Sequence, residues 1–83
     1  MLKILYFARL REEFCLSFEE IPLPSVRTVA DLKLWLSQRG EIWARELAPN
    51  RAVRAAINQE MANDEDPIHE GDEIALFPPV TGG

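Results

Sequence analysis

The last six residues, Pro78-Pro79-Val80-Thr81-Gly82-Gly83, are the part of the sequence best suited to chemistry. Two prolines stiffen the base and two glycines strip the side-chain bulk from the tip. Fully extended, the segment reaches roughly 20 Å at about 3.3–3.6 Å per residue. Such a tail can enter a narrow channel in another protein and present a bare carboxylate at Gly83. A terminal carboxylate, with a reference pKa of about 3.3–3.7, is ionised at neutral pH and resists nucleophilic attack. Conversion to an acyl-adenylate by ATP supplies a leaving group, after which a sulfur or nitrogen nucleophile can form a thiocarboxylate, a thioester or an amide. Gly83 has no Cβ to obstruct that approach. A Gly-Gly end is also a common frayed terminus; its place just beyond a proline-stopped strand is what sets this one apart.

The other reactive residue types offer less. Cys15 is the only cysteine, so no internal disulfide exists, and no Cys/His cluster has metal-ligand spacing. A thiolate could carry sulfur, but flanking Phe14 and Leu16 favour a small buried or half-buried hydrophobe. His69 lies among Glu65, Asp66, Glu70 and Asp72, a spacing that matches no EF-hand loop and reads as a solvated acidic turn. Trp35 and Trp43 fall on helical segments and read as packing residues.

These residues must be positioned by a single small domain. Eighty-three residues leave no room for two lobes with a cleft between them, and a chain this size buries only about 60% of its unfolded surface. Fourteen acidic against nine basic residues give a net charge of −5. That charge repels a phosphate backbone, so nucleic acid is a poor partner and a basic protein surface a better one. Charged residues interrupt the apolar N-terminus, and no apolar run is long enough to span a bilayer. The expectation is a cytoplasmic protein with no membrane association and no metal.

Along the chain, residues 2–8 are rich in branched and aromatic side chains and predict a strand. Residues 9–14 suit a single helical turn, and residues 16–21 a second strand stopped by Pro22 and Pro24. Thr28 followed by Asp31 predicts a helix start, with Val29, Leu32, Trp35 and Leu36 on one face and Gly40 as the stop. Residues 41–48 predict a short helix anchored by Ile42 and Trp43. Residues 53–58 and 60–62 predict strands joined at Asn58-Gln59. Gly71 supplies a turn before a last strand over residues 72–77. The expected fold is α+β, a mixed sheet packed on one main helix in the order of the β-grasp. Its domain spans 1–77, and residues 78–83 form a flexible Gly-Gly tail.

Period-two alternation then divides the sheet. Leu2, Ile4, Tyr6, Val53, Ala55, Ile57, Ile74 and Leu76 face the helix. Lys3, Leu5, Phe7, Arg54, Ala56, Asn58, Glu73, Ala75 and Phe77 face away. With the first and last strands adjacent, Phe7 and Phe77 head an apolar patch with Leu5, Ala75 and Ala56, of the kind that marks a contact site. The alternative is that the 41–48 helix or the loops cover this face.

The segments KILYFARLRE, AINQE and EGDEIALFPPVTGG together resemble the sulfur-carrier small-subunit family of molybdopterin synthase, which are ubiquitin-like β-grasp proteins. The resemblance spans the whole chain, except that FCLSFEEIPLPS matches no family motif. It implies a role in molybdenum cofactor biosynthesis and no catalysis by the chain alone. It implies that a ubiquitin-activating-like adenylyltransferase uses ATP to adenylate Gly83, and that a sulfur donor protein supplies the sulfur of a Gly83 thiocarboxylate. It also implies that the tail Pro78, Pro79, Val80, Thr81 and Gly82 inserts into the large synthase subunit, where sulfur passes to cyclic pyranopterin monophosphate. The resemblance further implies Phe7, Met61 and Phe77 as partner-contact residues, no permanently bound cofactor and a heterotetramer of two small and two large subunits. Arg9, Arg11 and Arg54 then read either as rim salt bridges to the large subunit or as solvated charges. A ubiquitin-like protein modifier, the sulfur carrier of thiamine synthesis and a plain binding module using the Phe7–Phe77 patch remain the alternatives.

Overall fold

In a computed structural model, the structure describes residues 1–79. The expectations for Val80, Thr81, Gly82 and Gly83 lie outside these residues. Nine elements follow in order: β1 (Leu2–Tyr6), α1 (Arg9–Phe14), β2 (Phe18–Ile21), α2 (Val29–Ser37), α3 (Glu41–Glu46), a 3₁₀ turn (Pro49–Arg51), β3 (Arg54–Ile57), β4 (Glu60–Ala62) and β5 (Glu73–Phe77). The strands form one sheet in the order β2-β1-β5-β3-β4. Central β1 and β5 run parallel, while the β1–β2, β3–β5 and β3–β4 pairs are antiparallel. This mixed five-stranded sheet folded over a main helix is the ubiquitin-like β-grasp.

The core follows from the alternation. Leu2, Ile4, Tyr6, Ile74 and Leu76 point from the two central strands onto Val29, Leu32 and Leu36 of α2, and all are almost fully buried. Helix α2 starts where Thr28 accepts a hydrogen bond from the Asp31 N–H at 3.2 Å, satisfying one orphan donor of the first turn. The Asp31 carboxylate accepts from the Arg27 N–H at 3.0 Å rather than from the cap residue's own N–H. Asn58 and Gln59 both take positive φ, 50° and 73°, which matches the right-handed twist of the β3–β4 hairpin without the usual glycine. Gly71, at φ 88°, makes the turn before β5.

Four expectations are corrected. Helix α2 ends at Ser37, capped by Gln38, and Gly40 instead precedes α3 as its N-cap in an extended conformation. Ile42 is exposed rather than anchoring α3; the anchor is Trp43, stacked on Phe14 with ring centroids 3.7 Å apart. Cys15 is exposed at the left-handed C-cap of α1, its thiol on the Glu12 carbonyl, because the chain reverses there and turns the side chain outward. The strands are also shorter than expected: β1 stops at Tyr6 and β2 begins at Phe18.

Candidate functional site

The outer face of the sheet is arranged in three rows set by the strand register. The middle row crosses all five strands as Phe18, Leu5, Ala75, Ala56 and Met61. Phe18 and Met61, at the two edges, are more than half exposed. Ala56, assigned to the accessible patch from the sequence, is buried between its neighbours and serves as floor. At the end where β5 delivers Pro78, the row is Phe7, Phe77 and Arg54: Arg54 is paired with Phe77, and the Phe7 N–H donates to the Leu76 carbonyl at 3.1 Å. Phe7 is 45% exposed. At the far end the row is Glu20, Lys3 and Glu73, with Asn58 bonded to Glu73 through backbone and side chain.

Helix α3 does not cover this face. Trp43 packs edge-on to Tyr6, at 5.7 Å between ring centroids, on the opposite, core side. The result is an apolar band flush with the start of the tail. Its charge is uneven, acidic at the far row and basic at Arg54 beside the tail. On this face the acidic side chains lie in the far row, with Glu20 and Glu73 flanking Lys3.

Phe18 is not marked by the sequence because it lies in FCLSFEEIPLPS, the segment that matches no family motif. The available signal was its separation by two from Glu20 on a strand whose other face carries Glu19 and Ile21. Lys3 Nζ sits 5.4 Å from the Phe18 ring centroid, a cation–π contact at the edge of the band.

On the core side, two carboxylates tie the elements together. Glu46 is 2% exposed at the end of α3. It accepts from Arg9 Nε at 2.9 Å, Arg9 Nη2 at 3.2 Å and Arg45 Nε at 3.1 Å, with Arg51 Nη2 at 3.7 Å. The Arg9 hydrogen bonds, against the opposing cost of burial and with help from Arg45 and Arg51, hold its carboxyl below the usual carboxylate range. Arg9 is thus paired within its own chain. Glu19, on the inward side of β2, accepts from Arg39 Nη1 and the Tyr6 hydroxyl, both at 2.6 Å. Burial would raise its pKa, but these two partners together outweigh it and lower it.

His69 is exposed and keeps its N–H on Asp72 at 2.8 Å. Among the described residues, no group of three or more His, Cys, Asp or Glu is arranged to hold a metal ion. No helix among them is long and apolar enough to cross a membrane.

The apolar band and the strand that launches the tail agree with a family match that runs to the last residue: the ThiS family model matches residues 4–83. The chain belongs to the ThiS family. It is 36% identical over 83 residues to the molybdopterin synthase sulfur carrier subunit of Escherichia coli (strain K12), with both chains covered completely. It is 39% identical over 84 residues to the protein of the same description from Haemophilus influenzae, again with complete coverage of both. Among solved structures, it is similar to a chain in the complex of subunits 1 and 2 of molybdopterin-converting factor from Helicobacter pylori 26695. There the TM-score is 0.63 at 25% identity, covering 99% of this chain and 97% of the other. In this ThiS-family chain the Phe7–Phe77–Arg54 row thus lies beside the base of the matched C-terminal segment, with the apolar middle row next to it and the acidic row at the opposite end.

Proposed function

We propose that the protein is the sulfur-carrier small subunit of a molybdopterin synthase and works in molybdenum cofactor biosynthesis. The observation that carries this reading is end-to-end similarity to two curated sulfur carrier subunits, with the family match reaching Gly83. An adenylyltransferase joins the Gly83 carboxylate to the α-phosphate of ATP and releases pyrophosphate. The outer sulfur of a donor-protein persulfide then adds to the carbonyl and AMP leaves; a second thiol attacks the donor's inner sulfur, breaking the S–S bond, so that the donor ends in a disulfide and the terminus is released as a thiocarboxylate. Adenylation is needed because the free carboxylate, ionised at neutral pH, is a poor electrophile.

The chain contributes position rather than acid–base chemistry. Docked by Phe7, Phe77, Met61 and the rest of the outer band on the large subunit, it delivers Pro78 to Gly82 into that subunit's active site. There the thiocarboxylate gives its sulfur to cyclic pyranopterin monophosphate, and the spent carboxylate is recharged. The setting is the cytoplasm, and the assembly pairs two small with two large subunits.

Deleting Gly83, or adding residues after it, is expected to abolish sulfur transfer in a reconstituted synthase assay while leaving the circular dichroism spectrum unchanged. An extended chain that stays untrimmed and fully active would refute the mechanism.

A further inference from the structure

The chain passes from β1 into α1 through the turn Phe7-Ala8-Arg9-Leu10, closed by the Leu10 N–H donating to the Phe7 carbonyl at 3.1 Å. Ala8 has φ 53° and ψ −127°. That is the backbone of the first central residue of a type II′ turn, a position that favours glycine. With a Cβ the conformation is strained, and strained non-glycine residues persist only where their surroundings over-determine them.

The two residues after Ala8 supply that constraint. Leu10 is 1% exposed in the core, and the Arg9 guanidinium is gripped by both oxygens of buried Glu46. The residue before Ala8 is Phe7, an exposed aromatic of the outer face. The turn therefore links the ion cluster around buried Glu46, whose arginines are partly exposed, to an exposed aromatic on the outer face of the sheet.

We propose that Glu46 and Arg9 are positioning residues for docking: their ion pair holds the strained Ala8 turn in place and so fixes Phe7 on the outer face beside the start of the tail. The proposal rests on the reading that this face docks on the large synthase subunit. A residue fixed before binding loses less freedom on binding, so the pair raises affinity without touching the partner. The sequence hides this arrangement, because Arg9 and Glu46 are 37 positions apart.

The test is calorimetric titration of the full chain against the purified large subunit, as a double-mutant cycle of Phe7→Ala with Arg9→Ala and with Glu46→Gln. Arg9 is half exposed and its removal leaves Glu46 paired with Arg45 and Arg51, so Arg9→Ala is expected to fold even if Glu46→Gln does not, as its circular dichroism spectrum would show. Arg9→Ala is expected to weaken binding by about fivefold in the native background and not further once Phe7 is alanine, since residues acting through one another are non-additive. Arg9→Lys should restore part of the loss. Losses that simply add in the double variant would overturn the proposal while leaving the docking reading intact. A Phe7→Ala variant that binds as tightly as the native chain would overturn both.

Discussion

Two carboxylates held in ion pairs, Glu46 and Glu19, are expected to make the fold sensitive to acid. Both have a folded pKa below the unfolded value, Glu46 through Arg9 first and Glu19 through Arg39 and Tyr6 acting against burial. The unfolded chain then binds their protons more tightly than the folded chain. Their stabilisation is complete above about pH 5 and drains away as pH falls below about 4. Melting temperature should therefore fall through that window. In Glu46→Gln the fall should be shallower, because one of the two groups no longer titrates, and thermal melts from pH 3 to 7 check this. None of it was legible residue by residue, since ion pairs across 37 and 20 positions leave no local pattern. Cys15 misled for a related reason. Apolar neighbours suggested burial, but its exposure is decided by a left-handed chain reversal that neighbours do not encode.

At the scale of elements, the sequence was most informative where periodicity meets a clear boundary. Alternation in β1 and β5 assigned the inward and outward residues correctly, because a one-residue slip would exchange the faces and expose Leu2, Ile4 and Leu76. Thr28 announced α2 through its side-chain cap, and Thr28→Ala is expected to cost about 1 kcal/mol. For a chain of this size that is about 4–8 °C in melting temperature by differential scanning calorimetry. Gly40 was misread because glycine punctuates both ends of helices. It stands between α2 and α3, and only the hydrogen bonds show that Gln38 closes the first while Gly40 opens the second. β2 was least legible: its inner face carries Glu19, whose burial is permitted by Arg39 and Tyr6 from other elements.

For the whole molecule, 83 residues build one core on the helix side of the sheet and leave Phe7, Phe18 and Met61 exposed on its outer face. A chain that buries only about 60% of its surface has little interior for a private active site. It can supply chemistry by lending its end to larger proteins, with the apolar band aligning that end. The chemistry proposed for the tail rests on residue type and order rather than on packing, and Val80 to Gly83 lie outside the described residues. The central claim is that Gly83 carries the sulfur. It is tested most directly by the intact mass of the protein after incubation with its activating enzyme, ATP and a sulfur source. The account predicts replacement of one C-terminal oxygen by sulfur, localised to Gly83 by fragmentation and dependent on ATP. An unchanged C-terminal mass under conditions where the activating enzyme consumes ATP would contradict it.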